Sequence, residues 1–178
     1  MRKPLLIIFL LFVFSFGFAQ GLKLKNVLVI GQFDKPEDRY AIEVNLTELL
    51  TNAGIKASPS LNVLKQGTSA VNLVSDSIQQ LIKSKGFDTY VVVNVRGYDR
   101  NFKPSETKIS LEEMLNMASL YHIYRDEATS VSFEFTFFRN DLVIYRDILK
   151  CGNVSNRDSV IKRFRKKMPK LIEKSWKS

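Results

Sequence analysis

Thr89-Tyr90-Val91-Val92-Val93-Asn94-Val95 is the stretch that decides the fold. Six of its seven residues are β-branched or aromatic, and none of the alternation of a half-wet strand is present. That composition suits a strand buried on both faces, as in sheets covered by crossover helices. Upstream, Val71, Val74, Ile78, Leu81 and Ile82 recur at helical spacing from about Ser69, and Gly86 closes the run. Ile55 to Ser58 reads as a short strand ended by Pro59. Before it, Ile42, Leu46, Leu49, Leu50 and Ala53 mark a helix, with Asp34 and Glu37 as a capping pair around Pro36 and Gly54 as a left-handed stop. Asn26 to Ile30 is a buried strand ended by Gly31. The order is strand, helix, strand, helix, strand, which calls for right-handed crossovers.

Downstream of Val95 the pattern changes. Leu111, Met114, Leu115 and Ala118 are spaced as a short helix, and Tyr121 to Tyr124 is an aromatic connector. Val131, Phe133, Phe135 and Phe137 alternate with Ser132, Glu134 and Thr136, which predicts a strand with one buried face and one solvated face. Asn140-Asp141 is a two-residue turn into a return strand, Leu142 to Ile148. The last element is a basic helix over 155–176, with Ser155 and Asp158 as its capping pair and Pro169 expected to kink it. Val160, Ile161, Phe164, Met168, Leu171, Ile172 and Trp176 share one arc; Lys162, Lys166, Lys167, Lys170 and Lys174 lie opposite, and Arg165 sits on the border. The expected fold class is α/β (α+β). A βαβαβ core is followed by an antiparallel β-hairpin and a C-terminal amphipathic helix, in a single mixed sheet with packed helices.

The leader reads as an export signal. Arg2 and Lys3 precede the apolar run Leu5 to Phe14, and Gly17-Phe18-Ala19 places small residues where a signal peptidase cuts. That run is half the ~20 residues a membrane-spanning helix needs. Residues 1–19 are therefore expected to be a cleaved signal peptide, and 20–178 a single domain in the periplasm or cell envelope. The net charge of +9 is unevenly placed. Residues 20–161 balance, with seventeen basic and seventeen acidic side chains, whereas the last seventeen residues hold eight basic groups against Glu173. The protein is a neutral domain with a basic end.

Groups able to do covalent chemistry are sparse. His122 is the single histidine, and with Asp126 it supplies two of the three or four ligands zinc takes. Cys151 is the single cysteine, so an intramolecular disulfide is excluded, and a small buried side chain is expected near a strand end. A Cys151–His122 pair would need a third group to orient the base. Glu112 and Glu113 are adjacent and diverge on a helix. Gly31-Gln32-Phe33-Asp34 has an acidic residue where a phosphate would sit. Asn45 and Asn153 begin glycosylation-acceptor triplets, Asn45 in mid-helix. No cofactor, no metal and no catalytic residue is expected. The candidate surface-binding basic face is Lys162, Lys166, Lys167, Lys170 and Lys174. Nucleic acid is a poor partner, because no aromatic platform is interleaved with these lysines.

Several segments carry a resemblance: Val27-Leu28-Val29-Ile30; Arg39 and Glu43 with Leu49-Leu50; Gly54-Ile55-Lys56-Ala57-Ser58-Pro59-Ser60; and Gly86-Phe87-Asp88. Over about Lys25 to Arg96 the chain resembles small exported bacterial envelope proteins, many of them lipoproteins of unknown role. In layout it is similar to the curli secretion pore subunit and to the amino-terminal domain of the Tol translocation protein. The resemblance implies a non-enzymatic envelope module that binds an envelope protein or assembles with itself. No cysteine follows the leader, so lipid attachment is not expected, and no long amphipathic strand pair suits a membrane barrel. The alternative is a peripheral protein held on an anionic membrane by the basic amphipathic helix; an enzyme built on His122 or Cys151 ranks third.

Overall fold

The computed structural model describes residues 22–64, 68–97, 110–115 and 130–177, of residue 113 the backbone alone. The leader, Ala118, the aromatic connector, His122 and Asp126 lie outside these residues, as does the side chain of Glu113. Five strands form one sheet: β1 (Asn26–Gly31), β2 (Lys56–Pro59), β3 (Thr89–Gly97), β4 (Ser130–Arg139) and β5 (Leu142–Gly152), in the order β2-β1-β3-β4-β5. β1 runs parallel to β2 and β3, whereas β4 is antiparallel to β3 and β5 to β4. The helices are α1 (Pro36–Asn52), α2 (Asp76–Ser84), α3 (Leu111–Leu115) and α4 (Arg157–Leu171). This is the mixed α+β sheet that the order of apolar segments calls for.

The valine run of β3 is continuous because both of its faces meet helices. Val91, Val93 and Val95 join Val27, Val29, Phe133, Phe135 and Phe137 beneath α1 and α4, which contribute Leu46, Leu50, Phe164 and Met168. On the other side Tyr90 and Val92 join Leu28, Ile30 and Phe138 under Ile82 of α2 and Leu111, Met114 and Leu115 of α3. Asn140 and Asp141 take φ of 49° and 59°, the left-handed pair a type I′ hairpin requires. Gly54 ends α1 with φ 84°, in the left-handed conformation expected of it. Cys151 is fully buried in β5.

Four details differ from the sequence reading. α1 starts at Pro36 with Lys35 as its N-cap and no side-chain cap bond, so the Asp34–Glu37 capping pair does not form. The second helix is two pieces: a 3-10 segment, Ala70–Val74, and α2, divided at Ser75. Ser75 is extended (ψ 142°), and its hydroxyl donates to the Asn72 carbonyl, closing the first piece before the second begins. The cap of α4 is Asn156, whose side chain accepts from Ser159 N–H at 2.9 Å while the Ser159 hydroxyl accepts from Asn156 N–H; Ser155 and Asp158 do not make it. The polar face of β4 is buried, with Ser132, Glu134 and Thr136 all closed to solvent. Charge matching makes that possible: Glu134 lies 2.9 Å from Arg96 Nε and 3.9 Å from Arg146 Nε, and accepts from the Thr136 hydroxyl.

α4 continues through Pro169 and then widens into a π-turn, Ile172–Trp176, closed by Lys177 N–H donating to the Ile172 carbonyl. The wider turn keeps Ile172 and Trp176 in line with Val160, Phe164 and Met168 on the core side.

Candidate functional site

Val160, Phe164, Met168, Ile172 and Trp176 follow at intervals of four, and all are buried. Their contacts are aromatic: Phe164 meets Phe133 edge-on with centroids 5.3 Å apart, and Trp176 meets Phe135 at 5.0 Å and Phe137 at 4.9 Å. The apolar arc is thereby committed to the domain's own core and is not offered to a bilayer. The exposed face carries Lys162, Lys166, Lys170 and Lys174, with Ile161 and Leu171 half-buried at its margins.

Apart from Arg163, which is half-buried near Cys151, the basic residues of this helix fall into two groups. Arg157 closes on α1, with Nε 3.1 Å from Asp38 Oδ1 and Nη2 donating to the Glu37 carbonyl at 2.7 Å. Arg165 binds both oxygens of Glu48, at 2.7 and 2.8 Å, and Asn45 as well. The Arg165 hydrogen bonds hold the Glu48 carboxyl below its usual range. Lys167 Nζ donates to the Lys150 carbonyl of β5 at 2.8 Å, and Lys177 pairs with Glu173. Lys162, Lys166, Lys170 and Lys174 are exposed and, among the described residues, make no hydrogen bond or ion pair. They stand four residues apart in one line, which at 1.5 Å per residue spans about 18 Å. Of the five lysines expected to form one basic face, Lys167 is drawn to the sheet edge and the other four make the stripe. Like charges at this spacing disfavour the helix by a few tenths of a kcal/mol per pair, whereas Lys170 and Lys174 in its last turns complement the helix dipole.

At the carboxyl end of β1 lies an open cleft of about 960 Å³, lined in part by Gln32, Tyr40, Thr68, Ser69 and Arg157. Open α/β sheets bind ligands at such strand ends, where the chain order reverses. Its floor is a closed network. Glu43 Oε1 accepts from Gly31 N–H (2.8 Å), Arg39 Nε (2.9 Å) and the Ser60 hydroxyl (2.6 Å), while Oε2 takes Leu61 N–H. Arg39 also donates to the Ser60 hydroxyl oxygen and to the Thr68 carbonyl. A Cβ at Gly31 would lie 3.1 Å from the Phe33 ring and 3.2 Å from Arg39 Cγ, so any larger residue would need these side chains to give by a few tenths of an ångström. Arg39 and Glu43 are thus a buried joint between α1, β1 and the turn after β2.

No protein-family model matches the chain, and no characterised protein matches it by sequence. Some solved structures are similar to it in shape. A lipoprotein from Neisseria meningitidis is similar over 85% of this chain and 99% of its own, at 13% identity and a TM-score of 0.46. A PelC dodecamer from Paraburkholderia phytofirmans is similar over 84% of this chain and 85% of its own, at 10% identity and a TM-score of 0.45.

Among the described residues no group of three or more His, Cys, Asp or Glu is placed to hold a metal ion, and no helix is long and apolar enough to cross a membrane. Cys151 is walled off beneath α4, and burial pushes its thiol up to about 11. Its pairing with His122 falls outside the described residues. The sequence reading missed the Arg39–Glu43 joint and the Glu134 ion cluster. For the first a signal existed: Arg39, Glu43, Leu46 and Leu50 are spaced along the apolar stripe of α1, where a charged pair must be buried.

Proposed function

We propose that this chain is an exported, envelope-associated binding module, not an enzyme, that docks on an anionic membrane surface through Lys162, Lys166, Lys170 and Lys174. The observation that carries the reading is the unpaired four-lysine stripe on a helix where Arg157 and Arg165 are instead paired with Asp38 and Glu48 of α1. Lysine is a hydrated point charge suited to diffuse attraction, whereas arginine's planar fork suits specific bidentate recognition. Centres of protein interfaces are depleted in lysine and enriched in aromatics. The exposed large apolar residues, Tyr40, Leu81, Leu142 and Ile144, belong to other elements. Each lysine near an anionic leaflet contributes about 1 kcal/mol, so association is reversible and sensitive to salt. Co-sedimentation with vesicles of neutral lipid, with and without an anionic component, tests this. Binding is expected to the anionic vesicles alone; equal binding to both, or to neither at low salt, counts against it.

A second reading is capture of an envelope protein or a second copy at the cleft. Tyr40, 60% exposed at its rim, favours it, since aromatic side chains anchor protein interfaces. Pull-down from an envelope fraction with wild type and Tyr40→Ala tests it: a partner lost on substitution is expected, and identical recoveries would remove this reading.

A further inference from the structure

The sheet edge carries an inference independent of the lysine stripe. β5 is the outermost strand and eleven residues long, and an open edge of that length is a template for another strand. Two of its backbone groups are satisfied from within the chain. Asp147 Oδ1 accepts from Ile148 N–H at 2.8 Å, and Lys167 Nζ donates to the Lys150 carbonyl at 2.8 Å. In antiparallel pairing, backbone groups alternate toward and away from the neighbour, so positions 148 and 150 belong to one set, the set turned away from β4. Asp147 is itself held in place: its Oδ2 accepts from the Trp176 indole N–H at 3.0 Å and from the Tyr145 hydroxyl at 3.4 Å. The opposite edge, β2, is four residues long and ends at Pro59, which has no N–H to offer.

We propose that Asp147 and Lys167 seal the β5 edge against strand addition by a second copy of this chain. The last helix and its π-turn are then an edge guard as well as a core element, and any self-association proceeds through side chains. Residue charge supports the seal. Antiparallel pairing of two β5 strands about their middle sets Arg146 opposite Arg146 or Asp147 opposite Asp147, and like charges directly opposite repel.

The test compares wild type, Lys167→Ala, and Asp147→Ala/Lys167→Ala by light scattering across a wide range of concentration, with amide exchange read at Ile148 and Lys150. The double variant is expected to show a concentration-dependent doubling of the wild-type mass, with both amides slowed in the associated form. Adding Ile148→Pro, which removes an outward N–H without touching the β4 ladder, should return the mass to that of wild type. A folded double variant that keeps the wild-type mass overturns the proposal, as does extra mass that survives Ile148→Pro. If circular dichroism shows the double variant unfolded, Lys167→Ala decides: it changes an exposed side chain, and an unchanged mass with unchanged Lys150 exchange overturns the proposal.

Discussion

The backbone N–H of Gly31 donates to Glu43 Oε1 at 2.8 Å, so the last residue of β1 is held by a buried carboxylate from the helix that follows it. The same oxygen neutralises Arg39, whose guanidinium reaches on to Ser60 and Thr68. One ion pair therefore joins four separate stretches of backbone and fixes the floor of the cleft.

Glu43→Ala should destabilise the protein by about 3–5 kcal/mol, because it leaves Arg39 charged and buried without its partner. Arg39→Met alone should be costly for the reciprocal reason. The double variant should be more stable than the sum of the two losses predicts, by about 2 kcal/mol of coupling. Urea unfolding followed by circular dichroism measures the cycle; additive losses would mean the two side chains do not act as a unit.

Trp176 closes the core at the far end of α4. Trp176→Ala should cost about 3–5 kcal/mol, since it removes a fully buried indole from against Phe135 and Phe137. Trp176→Phe keeps a ring there but removes the donor to Asp147, and should cost about 1 kcal/mol plus a smaller packing loss. Equal losses for the two variants in urea would contradict the packing described here.

Cys151 makes stability depend on alkaline pH. Burial raises the thiol from 9.0 to about 11, so between those values the unfolded chain has lost a proton that the folded chain retains. The thiol's contribution is thus fully present below about pH 9 and is lost as pH rises toward about 11. Cys151→Ala should remove this part of the alkaline loss, seen as a flatter pH dependence of the urea midpoint than in wild type. In the native state the thiol should also react with a maleimide near pH 8 about a hundredfold more slowly than a free cysteine does.

How much of this was legible in the sequence varies by element. The valine run of β3, the Asn140-Asp141 turn and the glycine after α1 could be read directly, because each depends on a residue's own conformational preference. The caps could not. Ser155-to-Asp158 and Asn156-to-Ser159 have the same spacing, and only the path of the chain leaving β5 decides which pair closes. The second helix hid a break because Ser75 falls within an unbroken helical pattern of apolar residues. The solvated face assigned to β4 failed for another reason. Alternation marks Glu134 as polar but says nothing of Arg96 and Arg146, which meet it from two other strands and allow it to be buried. The lysine stripe was legible as a basic face, but its membership was not, since the diversion of Lys167 to the Lys150 carbonyl depends on where β5 lies.

The domain keeps the apolar face of α4 in its own core and presents lysines outward. The most direct measurement is the salt dependence of binding to anionic vesicles by wild type and by Lys162→Glu/Lys166→Glu/Lys170→Glu/Lys174→Glu. Wild-type binding should fall steeply as salt rises, and the quadruple variant should not bind at any salt while melting at a temperature close to wild type. Binding that persists in high salt, or that survives in the quadruple variant, would rule out docking through the lysine stripe, because it would require apolar surface that this structure places in the core.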